Sequence, residues 1–126
     1  MNAINFIQQH GVDKAREVVE GAPTLDCYFD PYDNSYMSQV HQHEWEMWKE
    51  DIERWDVCEW DVDVSDYILL SDLKRLVESM DLINSYGGII NAKMDIRYLD
   101  IDWDYDSPRR NRLEQAIADY EQIFGE

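Results

Sequence analysis

Apolar and polar residues change period several times along this chain, and each change predicts an element. Residues 3–10 and 12–20 read as two short helices broken at Gly11; in the second, Val12, Ala15, Val18 and Val19 recur at helical spacing. Gly21 followed by Pro23 supplies the stop. From Thr24 to Asp30 the period drops to two. Leu25, Cys27 and Phe29 alternate with Asp26, Tyr28 and Asp30, which predicts a strand. The DPYDNS run that begins at Asp30 is turn chemistry.

A long helix is then expected from Ser38, acting as N-cap, to about Trp55. Trp45, Trp48, Ile52 and Trp55 fall on one face of it, with Glu46, Glu50 and Glu53 gathered opposite. A second strand is expected over about 57–64, within the run DVCEWDVDVSDY. Ser71 next caps a helix through Tyr86 that buries Leu73, Leu76, Val77, Met80 and Ile83, and Gly87-Gly88 ends it. A shorter helix over 89–96 and a third strand over 98–105 follow. Ser107-Pro108 opens a last helix that buries Leu113, Ala116, Ile117, Tyr120 and Phe124. The expectation is a single α+β domain over 1–126: a small antiparallel sheet of about three strands, with helices packed on one face and an acidic open face.

Composition sharpens this. With 126 residues, 44% of them apolar, and five Trp and eight Tyr, the chain is long enough and apolar enough to bury a core. No run approaches the ~18 apolar residues of a membrane span. The N-terminal MNAINFIQQHGVDK lacks the basic and apolar regions of a secretory signal. Cys27 and Cys58 are accordingly read as reduced thiols of a cytosolic protein.

Charge changes the picture most. Twenty-eight acids against eleven bases give a net −17, a field that repels nucleic acid and membrane surfaces and draws basic partners in. The excess is concentrated. Residues 25–66 carry thirteen acids and two bases, and residues 95–126 carry nine and four. Each segment contains an alternating run: Glu59, Asp61 and Asp63 beside Cys58, Trp60, Val62 and Val64, and Asp100, Asp102, Asp104 and Asp106 beside Leu99, Ile101, Trp103 and Tyr105.

Three stretches, FIQQHGVDKAREVVEGAP (6–23), LLSDLKRLVESMDLINSYGG (69–88) and RLEQAIADYEQIFG (112–125), resemble segments of small accessory proteins of lambdoid phages and prophages of enteric bacteria. They cover roughly half the chain. The resemblance implies a phage-encoded protein located in the host cell cytoplasm and brings no catalytic residue with it.

Candidate chemistry is sparse. His41, His43 and Glu44 lie close together, but the residue four after His43 is Met47, so no zinc-binding HExxH is present. A calcium loop begun at Asp100 would need glycine at its sixth position and glutamate at its twelfth, where Tyr105 and Asn111 stand. No glycine-rich phosphate loop and no GxSxG elbow occur. Arg109, Arg110 and Arg112 are expected as helix-start cations near Asp102–Asp106.

The acidic strands carry the reading instead. Aspartate is a poor strand former, and like charges facing each other across strands destabilise a sheet. Were the three strands to share one sheet, Asp26, Asp30, Glu59, Asp61, Asp63, Asp100, Asp102, Asp104 and Asp106 would line its open face. Carboxylates two apart on a strand lie ~6.6 Å from one another, and DNA phosphates recur every ~3.4 Å of axis on each strand, so such rows suit a phosphate-binding groove. The expected function is therefore a phage-encoded, non-enzymatic acidic inhibitor. It would mimic nucleic acid and block a host nucleic-acid-binding defence protein: a CRISPR effector, a restriction enzyme or a recombination nuclease. Glu46, Glu50 and Glu53 add to the binding face, with Tyr28, Trp60 and Trp103 as aromatic anchors, and no cofactor is called for. Two alternatives stand beside it: a small metal-dependent enzyme using His41, His43 and carboxylates, and an acidic regulatory or assembly module that binds a basic partner without mimicry.

Overall fold

A computed structural model describes residues 2–41, 44–58, 67–101 and 108–125. Two short helices come first, α1 (Ala3–His10) and α2 (Val12–Glu20), at the positions the periodicity predicts. The Asn2 side chain caps α1 by accepting the Asn5 N–H at 2.8 Å. Gly11, at φ 89°, breaks the two apart in a left-handed conformation that a side chain would strain.

A five-stranded antiparallel sheet follows: β1 (Tyr28–Asp30), β2 (Ser35–His41), β3 (Glu44–Lys49), β4 (Arg54–Val57) and β5 (Ile68–Leu69), in the order β4-β3-β2-β1-β5. The α+β class is as expected; five strands replace about three. The long helix over 38–55 does not form, and β2, β3 and β4 occupy its place. Trp45 and Trp48 sit three apart, so a strand sends them to opposite faces, where a helix would have aligned them. Trp48 instead pairs directly with Trp55 across β3 and β4, ring centroids 5.4 Å apart and nearly perpendicular. Such an aromatic pair is a sheet-stabilising unit, whereas Glu46 and Glu50 at i,i+4 would have repelled along a helix.

Both faces of the sheet bury apolar groups. Phe29 and Tyr36 face α1 and α2: the Phe6 ring meets Phe29 edge-on at 5.9 Å, and the Tyr36 hydroxyl donates to the Val18 carbonyl at 2.6 Å. On the other face Met37 is fully buried and Tyr28 packs against Trp45 at 5.4 Å.

Helices α3 (Leu70–Ser85), α4 (Ile89–Ile101) and α5 (Pro108–Phe124) complete the described chain. The strand expected over 98–105 is overturned as far as Ile101, since α4 continues through it. Extending an existing helix gains a hydrogen bond for each residue fixed, whereas a strand there needs a neighbour to pair with. The chain forms two compact units, Met1–Lys74 and Arg75–Glu126, with the boundary inside α3. In the second unit Ile83, Ala92, Leu113 and Ala116 form a buried cluster, with Ile96, Ile117 and Tyr120 packed on it. The buried stripe of α5 is turned from the expected one: Asp119 and Ile123 are buried, and Phe124 is exposed. Among the described residues, no helix is long and apolar enough to cross a membrane.

Candidate functional site

The β3–β4 hairpin concentrates exposed carboxylates. Between its strands, Glu50, Asp51, Ile52 and Glu53 make a tight turn in which the Glu53 N–H donates to the Glu50 carbonyl at 3.3 Å. Glu53 adopts φ 49°, a left-handed conformation that glycine or asparagine usually fills. Without either residue the turn carries no sequence signal, which is why a helix was expected across it. Glu44, Glu50, Asp51, Glu53 and Asp56 are all exposed, and Glu46 is half-buried on β3. Only Lys49 and Arg54, directly paired across the strands, oppose them on the hairpin.

These six carboxylates have no lysine or arginine partner among the described residues. Six carboxylates of the helices are treated differently. Asp13 and Glu17 pair with Arg16 and Lys14 along α2. Asp95 is held by Arg109 at 3.1 Å, Glu114 by Arg110 at 2.9 Å, Asp119 by Arg75 at 3.5 Å and Glu121 by Lys93 at 3.1 Å. Arg112 donates to the Ser79 hydroxyl at 3.1 Å, and the Asp102–Asp106 run expected near these arginines lies outside the described residues.

The other predicted site residues scatter. Asp26 is exposed in the bend before β1, where its N–H donates to Thr24 Oγ1 at 3.3 Å. Asp30 is corrected: it is buried, not on an open face. Its carboxylate accepts the backbone N–H groups of Tyr32 at 2.9 Å and Asp33 at 3.4 Å, closing the turn before β2. Asp100 falls on α4 instead of a strand. Register places Glu46 opposite Val57 and Asp56 opposite Met47, so these two acids are on opposite faces. Tyr28 is half-buried against Trp45. Glu59, Trp60, Asp61, Asp63, Asp102, Trp103, Asp104, Asp106 and His43 lie outside the described residues, and His41 closes β2. Sequence reasoning missed Glu44, Asp51 and Asp56 as members of the acidic surface, because their grouping depends on the hairpin.

Among the described residues, no three histidine, cysteine or acidic side chains are grouped to hold a metal. Both thiols are unbridged. Cys27 is fully buried and donates to the Thr24 carbonyl at 3.2 Å; burial pushes its pKa up from 9.0 to about 11. The unfolded thiol therefore loses its proton first as pH rises, and this contribution to stability is present below about 9 and lost on the way to 11. Burial also raises the Tyr36 hydroxyl, which adds in the same direction. Thermal melts are expected to fall between pH 8.5 and 11 and, with Cys27→Ala, to fall less steeply. An equal slope in the variant would remove the thiol from the account.

Set against known proteins, the chain matches no family model, no curated protein and no solved structure.

Proposed function

We propose that this protein is an acidic, non-enzymatic inhibitor that occupies the basic groove of a host nucleic-acid-binding protein in place of its nucleic acid. One observation carries the reading: the carboxylates of the β3–β4 hairpin have no cation partner among the described residues, while Asp13 and Glu17 on α2, Asp95 on α4, and Glu114, Asp119 and Glu121 on α5 are each paired. Unneutralised charge on one hairpin costs stability through self-repulsion, and an external cation relieves it. Lysines and arginines that ordinarily release counterions from phosphates would meet fixed carboxylates there. The resemblance to accessory proteins of lambdoid phages makes host defence the target class: a CRISPR effector, a restriction enzyme or a recombination nuclease, met in the host cytoplasm. The alternating acids of 59–63 and 100–106 extend the same charge along the chain.

The test is capture of partners from host lysate, elution by salt, and competition. A captured partner is expected to release the protein when its own DNA or RNA is added, and binding is expected to weaken steeply with ionic strength. The protein itself is expected to give no band shift with duplex or single strands at ~0.15 M salt. A direct shift, or a captured partner indifferent to nucleic acid, would overturn the mimicry.

A further inference from the structure

At the end of the hairpin away from its turn, a pocket of about 340 Å³ is lined by Val40, Glu44, Trp45, Glu46, Val57 and Cys58. Val40 is the extra residue of a bulge: Gln39 pairs with Trp45 and His41 with Glu44, so Val40 has no opposite number. Bulges re-aim side chains, and here the bulged residue lines the pocket. Val40 and Val57 are 45% and 69% exposed, unusual for valines on a sheet whose other apolar residues are mostly covered. Glu44 and Glu46 stand two apart on β3, ~6.6 Å along the strand.

We propose that this pocket receives an arginine side chain of the basic partner, the methylenes packing on Val40 and Val57 and the guanidinium bridging Glu44 and Glu46. Charge complementarity selects a cation, and the apolar lining selects one with a long stem. Between the two long cations, arginine fits better. Its planar fork presents donors along two edges and serves two carboxylates at once, and its weak hydration lets it lie against methyl groups. A lysine ammonium is a compact, strongly hydrated point charge that satisfies one carboxylate and stays in water. The inference rests on the hairpin being the docking surface proposed above and adds which side chain it reads.

Capped hexa-arginine and hexa-lysine peptides, titrated into the full chain and followed by amide NMR shifts, test it. The arginine peptide is expected to bind about three- to tenfold more tightly and to shift Val40, Glu46 and Val57. Glu46→Gln and Val57→Ser are each expected to erase that preference, the same spectra confirming the fold. Equal binding of both peptides, shifts confined to the turn, or a preference that survives both variants would overturn the arginine site. Should a variant neutralised at the turn acids Glu50, Asp51 and Glu53 lose the captured partner while neither peptide is preferred, the hairpin reading stands and this inference alone falls. If the partner is retained, the hairpin reading itself falls.

Discussion

Replacing Asp119 by alanine is expected to cost about 2–4 kcal/mol of stability, the scale of losing hydrogen bonds to a buried carboxylate and leaving a buried donor unsatisfied. The carboxylate is 1% exposed on α5. Ser79, fully buried on α3, donates its hydroxyl to Oδ2 at 2.6 Å, and Gln115 donates to Oδ1 at 2.9 Å. Arg75 Nε lies 3.5 Å from Oδ2, and Arg112 reaches the same serine at 3.1 Å. Because the Arg75 side chain is 46% exposed, water screens that pair and its share is small. The buried hydrogen bonds dominate: alanine takes away the acceptor that Ser79 and Gln115 both use. Asp119→Asn keeps the shape and one acceptor oxygen but turns an amide towards a donor, so a smaller loss of about 1–3 kcal/mol is expected. Denaturant titration of the two variants checks the order. An alanine variant within ~1 kcal/mol of the native chain would show the network to be dispensable.

The second large effect concerns binding. Changing Glu50→Gln, Asp51→Asn, Glu53→Gln and Asp56→Asn together is expected to abolish capture of the basic partner at ~0.15 M salt while leaving the fold intact. All four side chains are exposed, so no core contact is lost. Asp56 accepts its neighbour's N–H, from Val57 at 2.9 Å, and asparagine preserves that acceptor. Stability is expected to hold or rise slightly, because like-charge repulsion is relieved. Binding and stability then move in opposite directions, as they do when charge is kept for a partner. A thermal melt and a binding isotherm for each protein suffice. Partner binding that persists, insensitive to salt, in the neutralised variant would reduce the hairpin acids to solubilising groups.

How legible the molecule is in its sequence depends on where each element finds its hydrogen bonds. Helices α1 and α2 begin and end where the apolar period, Gly11 and Gly21 put them. Helix α3 starts one residue before the expected cap and ends ahead of Gly87-Gly88, and α5 opens at Pro108. Helical hydrogen bonds close within four residues, so period, caps and stops are written locally. The net charge, and its concentration over 25–66, are likewise properties of the sequence alone.

Tertiary structure decided the rest. The spacing of Trp45, Trp48, Ile52 and Trp55 fits a helical stripe, yet Trp48 finds Trp55 across a hairpin whose turn contains no glycine. Asp30 has the alternation of an outward strand residue, yet the turn it closes draws its carboxylate inside. Asp100 continues an acidic alternation, yet α4 propagates through it. Sheet partners are chosen by contacts between residues distant in sequence, and a left-handed glutamate announces nothing in advance. The sequence determined how much negative charge there is and where α1, α2, α3 and α5 run. Which carboxylates stand together without cations was decided only when β3 and β4 paired.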